Sequence, residues 1–196
     1  MSFIPEFELG LWNAWIFMLY VIFSNVLPYV LSGWLIDKDV WKKATATDMP
    51  LNETEKRISN LLSFLFFALI AYSIFLPLKL GTVWFYVGFL IYLLGVIIST
   101  LAMLNFVTTP VDKPVTKRIY RISRNPMYLG MFLIFGGTGI ACVSWFFLLL
   151  TAVFIILSHI VVVSEERFCL QKYGNAYREY MNRTPRWIGT PKSREG

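Results

Sequence analysis

MYLGMFLIFGGTGIACVSWFFLLLTAVFIILSHIVVV, residues 127–163, runs for 37 residues without a Lys, Arg, Asp or Glu. One helix crosses the hydrocarbon core of a bilayer in roughly 20 residues, so this run is too long for one span and long enough for two. A helical hairpin is expected, with its turn in Ala141–Trp145. Three further apolar blocks precede it: Leu11–Ile36, Ile58–Leu80 and Thr82–Val107. Taken as one span each, they give an all-α fold. It is a polytopic membrane helical bundle of about five transmembrane helices with a cytoplasmic C-terminal helical segment. Composition agrees: 57% of residues are hydrophobic and 15% charged, against about 45–50% and 25% in soluble domains.

Two regions follow from this division. Residues 1–107 hold three N-terminal spans with an interfacial connector over 37–57, and residues 108–196 hold a polar loop, the hairpin 126–163 and a polar tail. Of the 18 Lys and Arg, all but Lys79 lie in the loop 37–57, the loop 108–125 or the tail from Glu165. With five spans these three segments share one side, which the positive-inside rule makes cytoplasmic. The protein is therefore expected in the cell membrane with its N-terminus outside and its C-terminus inside. The net charge of +6 then reads as topology and anionic-lipid contact rather than as a nucleic-acid footprint. Met1–Gly10 carries two glutamates and no basic residue, so no cleaved signal is expected. Cys142 and Cys169 are too isolated for a metal site or a disulfide framework, and no metal is expected. Oligomeric state is not legible.

Polar density near the membrane is confined to two segments flanking the hairpin. At its entry stands RNPMY, Arg124 to Tyr128. Asn125 suits the N-cap of a helix and Pro126 its first position, where no N–H is needed; the same residues also suit a polar site at the membrane face. At its exit stand Glu165 and Glu166, adjacent carboxylates about 100° apart on a helix, and an ionisable residue at membrane depth points to function. His159, the only histidine, reads as a hydrogen-bonded structural residue. Gly136-Gly137-Thr138-Gly139 reads as close helix packing by small residues. In the tail, Tyr173, Tyr177 and Tyr180 fall at i, i+4 and i+7, one aromatic stripe if the segment is a single helix.

The order R-[HN]-P-x-Y, hairpin, E-E, [FY]-G-x-x-Y-x-x-Y and R-x-P, over about Asn105 to Arg186, resembles the isoprenylcysteine carboxyl methyltransferase family and the related membrane phospholipid methyltransferases. The length and five spans resemble archaeal or bacterial members. The resemblance implies an enzyme that moves a methyl group from S-adenosylmethionine to a lipophilic acceptor at the cytoplasmic face, and makes 108–196 the cofactor-binding catalytic region. It nominates Asn125, Pro126, Met127, Tyr128, Tyr120 and Glu166 for the cofactor, and more loosely Asn105 and the strip Asp112, Lys113, Pro114 and Val115. Glu166, Arg167 and Arg124 are the implied catalytic residues. Many family members have His where this chain has Asn125. Eukaryotic members carry an arginine just before the glutamate pair, where this chain has Val161, Val162 and Val163; Arg167 or Arg124 would then hold an acceptor carboxylate. The implied partners are the lipophilic acceptor and membrane lipids. Two rivals are a nicotinamide-dependent membrane reductase with a similar R-H-P-x-Y segment and a non-enzymatic membrane subunit.

Overall fold

A computed structural model describes residues 8–32, 49–110 and 112–189. Among them are six α-helices and one short 3-10 helix. The helices are α1 (Trp15–Ser32), α2 (Glu53–Ser73), α3 (Val83–Val107), α4 (Pro126–Ala141), α5 (Trp145–Tyr173) and α6 (Asn175–Arg183), with the 3-10 turn at Arg118–Arg121 between α3 and α4.

Local sequence explains the starts of α2, α3 and α5. Asn52 and Glu55 form a reciprocal capping box at α2, satisfying two backbone donors that the first turn would otherwise leave open. Thr82 caps α3 through the Phe85 N–H, and Ser144 caps α5 through the Phe147 N–H. The end of the expected connector, from Leu51 to Arg57, is thus the cap and first turn of α2. Residues 33–48, most of the expected connector, lie outside the described residues.

The expected hairpin is present: α4 and α5 are joined over Cys142, Val143 and Ser144. The second apolar block departs from expectation, because α2 ends at Ser73 and residues 74–82 form a loop. Pro77 forbids a continuing helix through its missing N–H and its clash with the preceding turn. The freed backbone is satisfied instead by the segment before α1. Asn13 Nδ2 donates to the Ile74 carbonyl at 2.7 Å, the Ala14 N–H to the Leu76 carbonyl, and the Leu78 N–H to the Trp12 carbonyl. The Lys79 N–H reaches the Ala141 carbonyl, so this loop and the hairpin turn meet at one end of the bundle. Trp12, Trp84 and Trp145 are all exposed near these element ends, as interfacial anchors are.

By length and composition α3 and α5 can cross a membrane, and only 22% and 28% of their most apolar windows is buried. A soluble core helix would be mostly enclosed. Instead α3 presents Val83, Val87, Leu90, Leu94, Ile97, Leu101 and Leu104, an apolar surface of the kind that lipid covers. The 16 residues of α4 reach about 24 Å at 1.5 Å per residue, and α1 also has a short apolar stretch, Trp15–Ser24. Helices thus stand at all five expected positions; α3 and α5 meet the spanning criteria, and α1 and α4 are shorter apolar helices.

The core is aromatic, with Phe17, Tyr92, Phe135, Phe147 and Phe154 buried among Met18, Leu65, Leu69 and Ile134. Closest of all is the antiparallel pair α3 and α4. A methyl group on Gly95 would meet the Gly130 carbonyl at 2.7 Å, and one on Gly137 would meet the Tyr92 nitrogen at 2.5 Å. The reading of the glycine run as packing therefore holds for Gly137, and Gly139 likewise faces Leu148, while Gly136 has open space.

Candidate functional site

Opposite the tryptophan end, the polar residues collect where α5 leaves its apolar stretch. The carboxylate of Glu166 is at the centre, 3% exposed. Its Oε1 accepts from Asn125 Nδ2 at 3.1 Å, and its Oε2 accepts from Arg186 Nε at 3.0 Å and Nη2 at 2.9 Å. Arg124 Nε adds an ion pair at 3.3 Å to Oε1, without hydrogen-bond geometry. A buried carboxylate needs such partners, since an isolated charge there would cost several kcal/mol.

RNPMY does begin a helix, with Pro126 at the first position, but the Asn125 side chain makes no cap. The expectation of an Asn125 cap is corrected: its amide is spent on Glu166 and on the Arg186 carbonyl at 3.2 Å. Ser123 Oγ takes over locally, accepting from the Asn125 N–H and donating to the same Arg186 carbonyl. The Arg124 N–H donates to the Pro185 carbonyl at 3.0 Å. Residues 184–187 are in this way strapped across the start of α4. The N-terminal end of α4 also presents partial positive charge, which favours an anionic group.

Adjacent on α5, Glu165 turns a different way. Its Oε1 accepts from the Tyr128 hydroxyl at 2.7 Å, and it lines a cleft of about 200 Å³ with Met49, Leu51, Glu55, Ser59, Ile160, Val161 and Ser164. The two glutamates thus serve two places, as their angular separation on a helix requires. Arg167 does not join the Glu166 cluster. It forms a two-pronged pair with Glu55 at the start of α2, at 2.9 and 2.8 Å, on the wall of the cleft.

This Arg167 pair, helped by the Asn52 N–H and Ser164, pulls the Glu55 carboxyl from 4.5 down to about 2. A folded value below the unfolded one means that the stabilisation is full above pH 4.5 and disappears as pH falls toward 2. Thermal unfolding in detergent across that window is expected to show a decline in the wild type that Glu55→Gln flattens. An equal decline in both proteins would show that the pair contributes nothing.

The remaining nominated residues divide between two packings. Tyr120 is buried with Ala102, Tyr177 and Tyr180, against Val115, Met127 and Tyr173, and its carbonyl accepts from the Tyr180 hydroxyl at 2.6 Å. Burial pushes the phenols of Tyr120, Tyr177 and Tyr180 above their ordinary range, so they stay protonated at neutral pH. Tyr128 packs with the main core instead. The Tyr173–Tyr180 stripe is not one helix: Gly174, at φ 54°, ends α5 and begins α6, a conformation that favours glycine. The three tyrosines nevertheless meet in one cluster. Asn105 is buried at the end of α3, its Oδ1 3.5 Å from Arg118 Nη1. Pro114 is half-buried, and Asp112 and Lys113 are exposed. His159 Nδ1 accepts from Trp187 Nε1 at 3.2 Å, the structural role expected of it.

Arg186, Ser123 and the Pro185 carbonyl were not nominated from sequence. The available signal was the stretch Arg183-Thr184-Pro185-Arg186, whose proline turns the chain back but does not show what it meets. Among the described residues, Arg183 itself pairs with Glu179, one helical turn away.

A family model described as phospholipid methyltransferase matches residues 83–176, from the start of α3 to the start of α6. The chain matches no curated protein and no solved structure. The matched segment contains RNPMY, both glutamates and the hairpin between them. Over residues 83–176, somewhat under half of its length, the chain is similar to the phospholipid methyltransferase family, which supports a membrane methyltransferase in general.

Proposed function

We propose that the protein transfers a methyl group from S-adenosylmethionine to a lipophilic acceptor at the cytoplasmic face of the cell membrane, with its N-terminus outside and its C-terminus inside. The observation that carries this reading is the convergence on Glu166 of Arg124, Asn125 and Arg186 from both flanks of the hairpin. The donor set suits the cofactor chemically. A carboxylate matches an ammonium or ribose hydroxyl, a guanidinium matches a carboxylate, and the tyrosine cluster around Tyr120 offers aromatic faces to a base. Glu166, Arg124, Asn125, Tyr120 and Met127 would hold the cofactor. Bound there, S-adenosylmethionine supplies a methyl group made electrophilic by its sulfonium.

The protein's contribution is alignment. Rigid placement of two reactants can supply roughly 7–11 kcal/mol of a barrier, and the aromatic core excludes water beside the site. The cleft at Glu165 is the place for the acceptor's head group, with Ile160, Val161 and Leu51 for the start of its apolar tail. Of a carboxylate, a thiol and an amine, its lining favours the amine. Two glutamates face it; Glu55 is held by Arg167, which leaves Glu165 as the carboxylate for a cationic head group, and no Lys or Arg is among the described lining residues. A protonated amine would pass its proton to the Glu165 carboxylate and present a neutral nitrogen for attack, while Tyr128 holds that carboxylate in place.

Calorimetric titration of the full-length protein in detergent with S-adenosylhomocysteine tests the reading. Saturable one-to-one binding is expected. Folded protein that binds none of it overturns the proposal.

A further inference from the structure

Glu166 has little capacity left for a ligand. An ionised carboxylate offers about four lone-pair sites. Three hydrogen bonds from Asn125 and Arg186, with the Arg124 ion pair beside them, already take them up. If Glu166 is the carboxylate that the cofactor needs, which rests on the function proposed above, one of these donors has to leave before a ligand N–H or O–H can take its place.

The three differ in how easily they can go. Asn125 is fixed at the start of α4, its own N–H held by Ser123 Oγ. Arg124 has a side chain only 9% exposed, so leaving Glu166 would strand a charge in the interior. The Arg186 side chain is 30% exposed and has water within reach of its head group. Its backbone is pinned through its own carbonyl and that of Pro185 by Ser123, Asn125 and Arg124, so only the side chain has to rotate.

We infer that Arg186 is the exchangeable partner of Glu166, a built-in competitor whose guanidinium occupies the carboxylate that a cationic or hydroxyl-bearing ligand requires. Arg124 stays behind and keeps Glu166 neutralised during the exchange. Its Nε, short of a well-formed hydrogen bond while Arg186 is in place, gains one when the carboxylate is free to turn toward it. Affinity for the cofactor is thereby set below what the site could reach, and loading is coupled to release of the strap's arginine.

The test is calorimetric titration with S-adenosylhomocysteine of detergent-solubilised full-length wild type, Arg186→Met and Arg186→Lys. Methionine keeps the length without a donor; lysine keeps the charge without the two-pronged contact. Removing one charged competitor is expected to tighten binding about tenfold in Arg186→Met, the equivalent of one hydrogen bond to a charged group, with Arg186→Lys between it and wild type. Arg186→Lys carries the test alone should the methionine variant misfold. Unchanged or weaker binding in the variants, with wild type binding normally, overturns it and leaves the cofactor assignment standing, with Arg186 a strut or a direct contact. Failure of all folded proteins to bind removes the cofactor assignment and the inference together.

Discussion

Glu166→Gln is expected to abolish binding of S-adenosylhomocysteine and to destabilise the fold at the same time. Glutamine keeps the shape and one acceptor oxygen but removes the negative charge that balances Arg124 and Arg186. Removing one partner of a buried ion pair costs roughly 3–5 kcal/mol, because the other is left uncompensated. Arg186 can turn to water and Arg124 cannot, so the loss belongs near the lower end, about 3 kcal/mol. Thermal unfolding in detergent, followed by titration at a temperature where the variant remains folded, separates the two effects. Unaltered stability would mean that the arginines are balanced elsewhere. Unaltered affinity would remove Glu166 from the cofactor site.

The largest purely structural effect is expected from Gly137→Val. A Cβ at residue 137 would lie 2.5 Å from the Tyr92 nitrogen and 2.6 Å from the Gly88 carbonyl oxygen. Both are helix backbone, so neither can yield without moving α3 as a whole. Overpacking in a well-filled interior costs about 1–3 kcal/mol, and a branched side chain against backbone on both flanks belongs at or beyond the top of that range. Its neighbour supplies the control. Among the described residues no atom lies within 4 Å of where a Cβ at Gly136 would stand, so Gly136→Ala should be neutral or should gain up to about 1 kcal/mol from helix propensity. Equal melting temperatures for Gly137→Val and wild type would show that α3 and α4 are not clasped as described.

The helices were largely legible because their signals are local. The hairpin turn and the start at Pro126 each depend on residues within a few positions of one another. The end of α2 was misplaced by a turn or more because an apolar run hid the effect of Pro77. The tyrosine stripe failed at Gly174, whose positive φ breaks the periodicity on which the stripe depended. In the site, residue types pointed to Asn125 and Glu166, yet the role of Asn125 changed from cap to carboxylate partner. Neither the division of labour between Glu165 and Glu166 nor the arrival of Arg186 was legible. Both are set by which chain segment folds back across the helix start, a contact spanning 20 residues from Glu166 and more than 60 from Ser123.

Gly88 and Gly95 lie seven residues apart on α3, as do Gly130 and Gly137 on α4. A straight helix turns 3.6 residues at a time, so a seven-residue stripe drifts around it by about 20° per repeat. Keeping that stripe against its partner favours a left-handed crossing, as in an antiparallel coiled coil whose knobs have been pared down to hydrogen atoms. Side chains in most helix pairs are interchangeable spacers that can be exchanged for others of similar volume. Here the spacer has zero length, and the pitch of the winding is dictated by backbone meeting backbone.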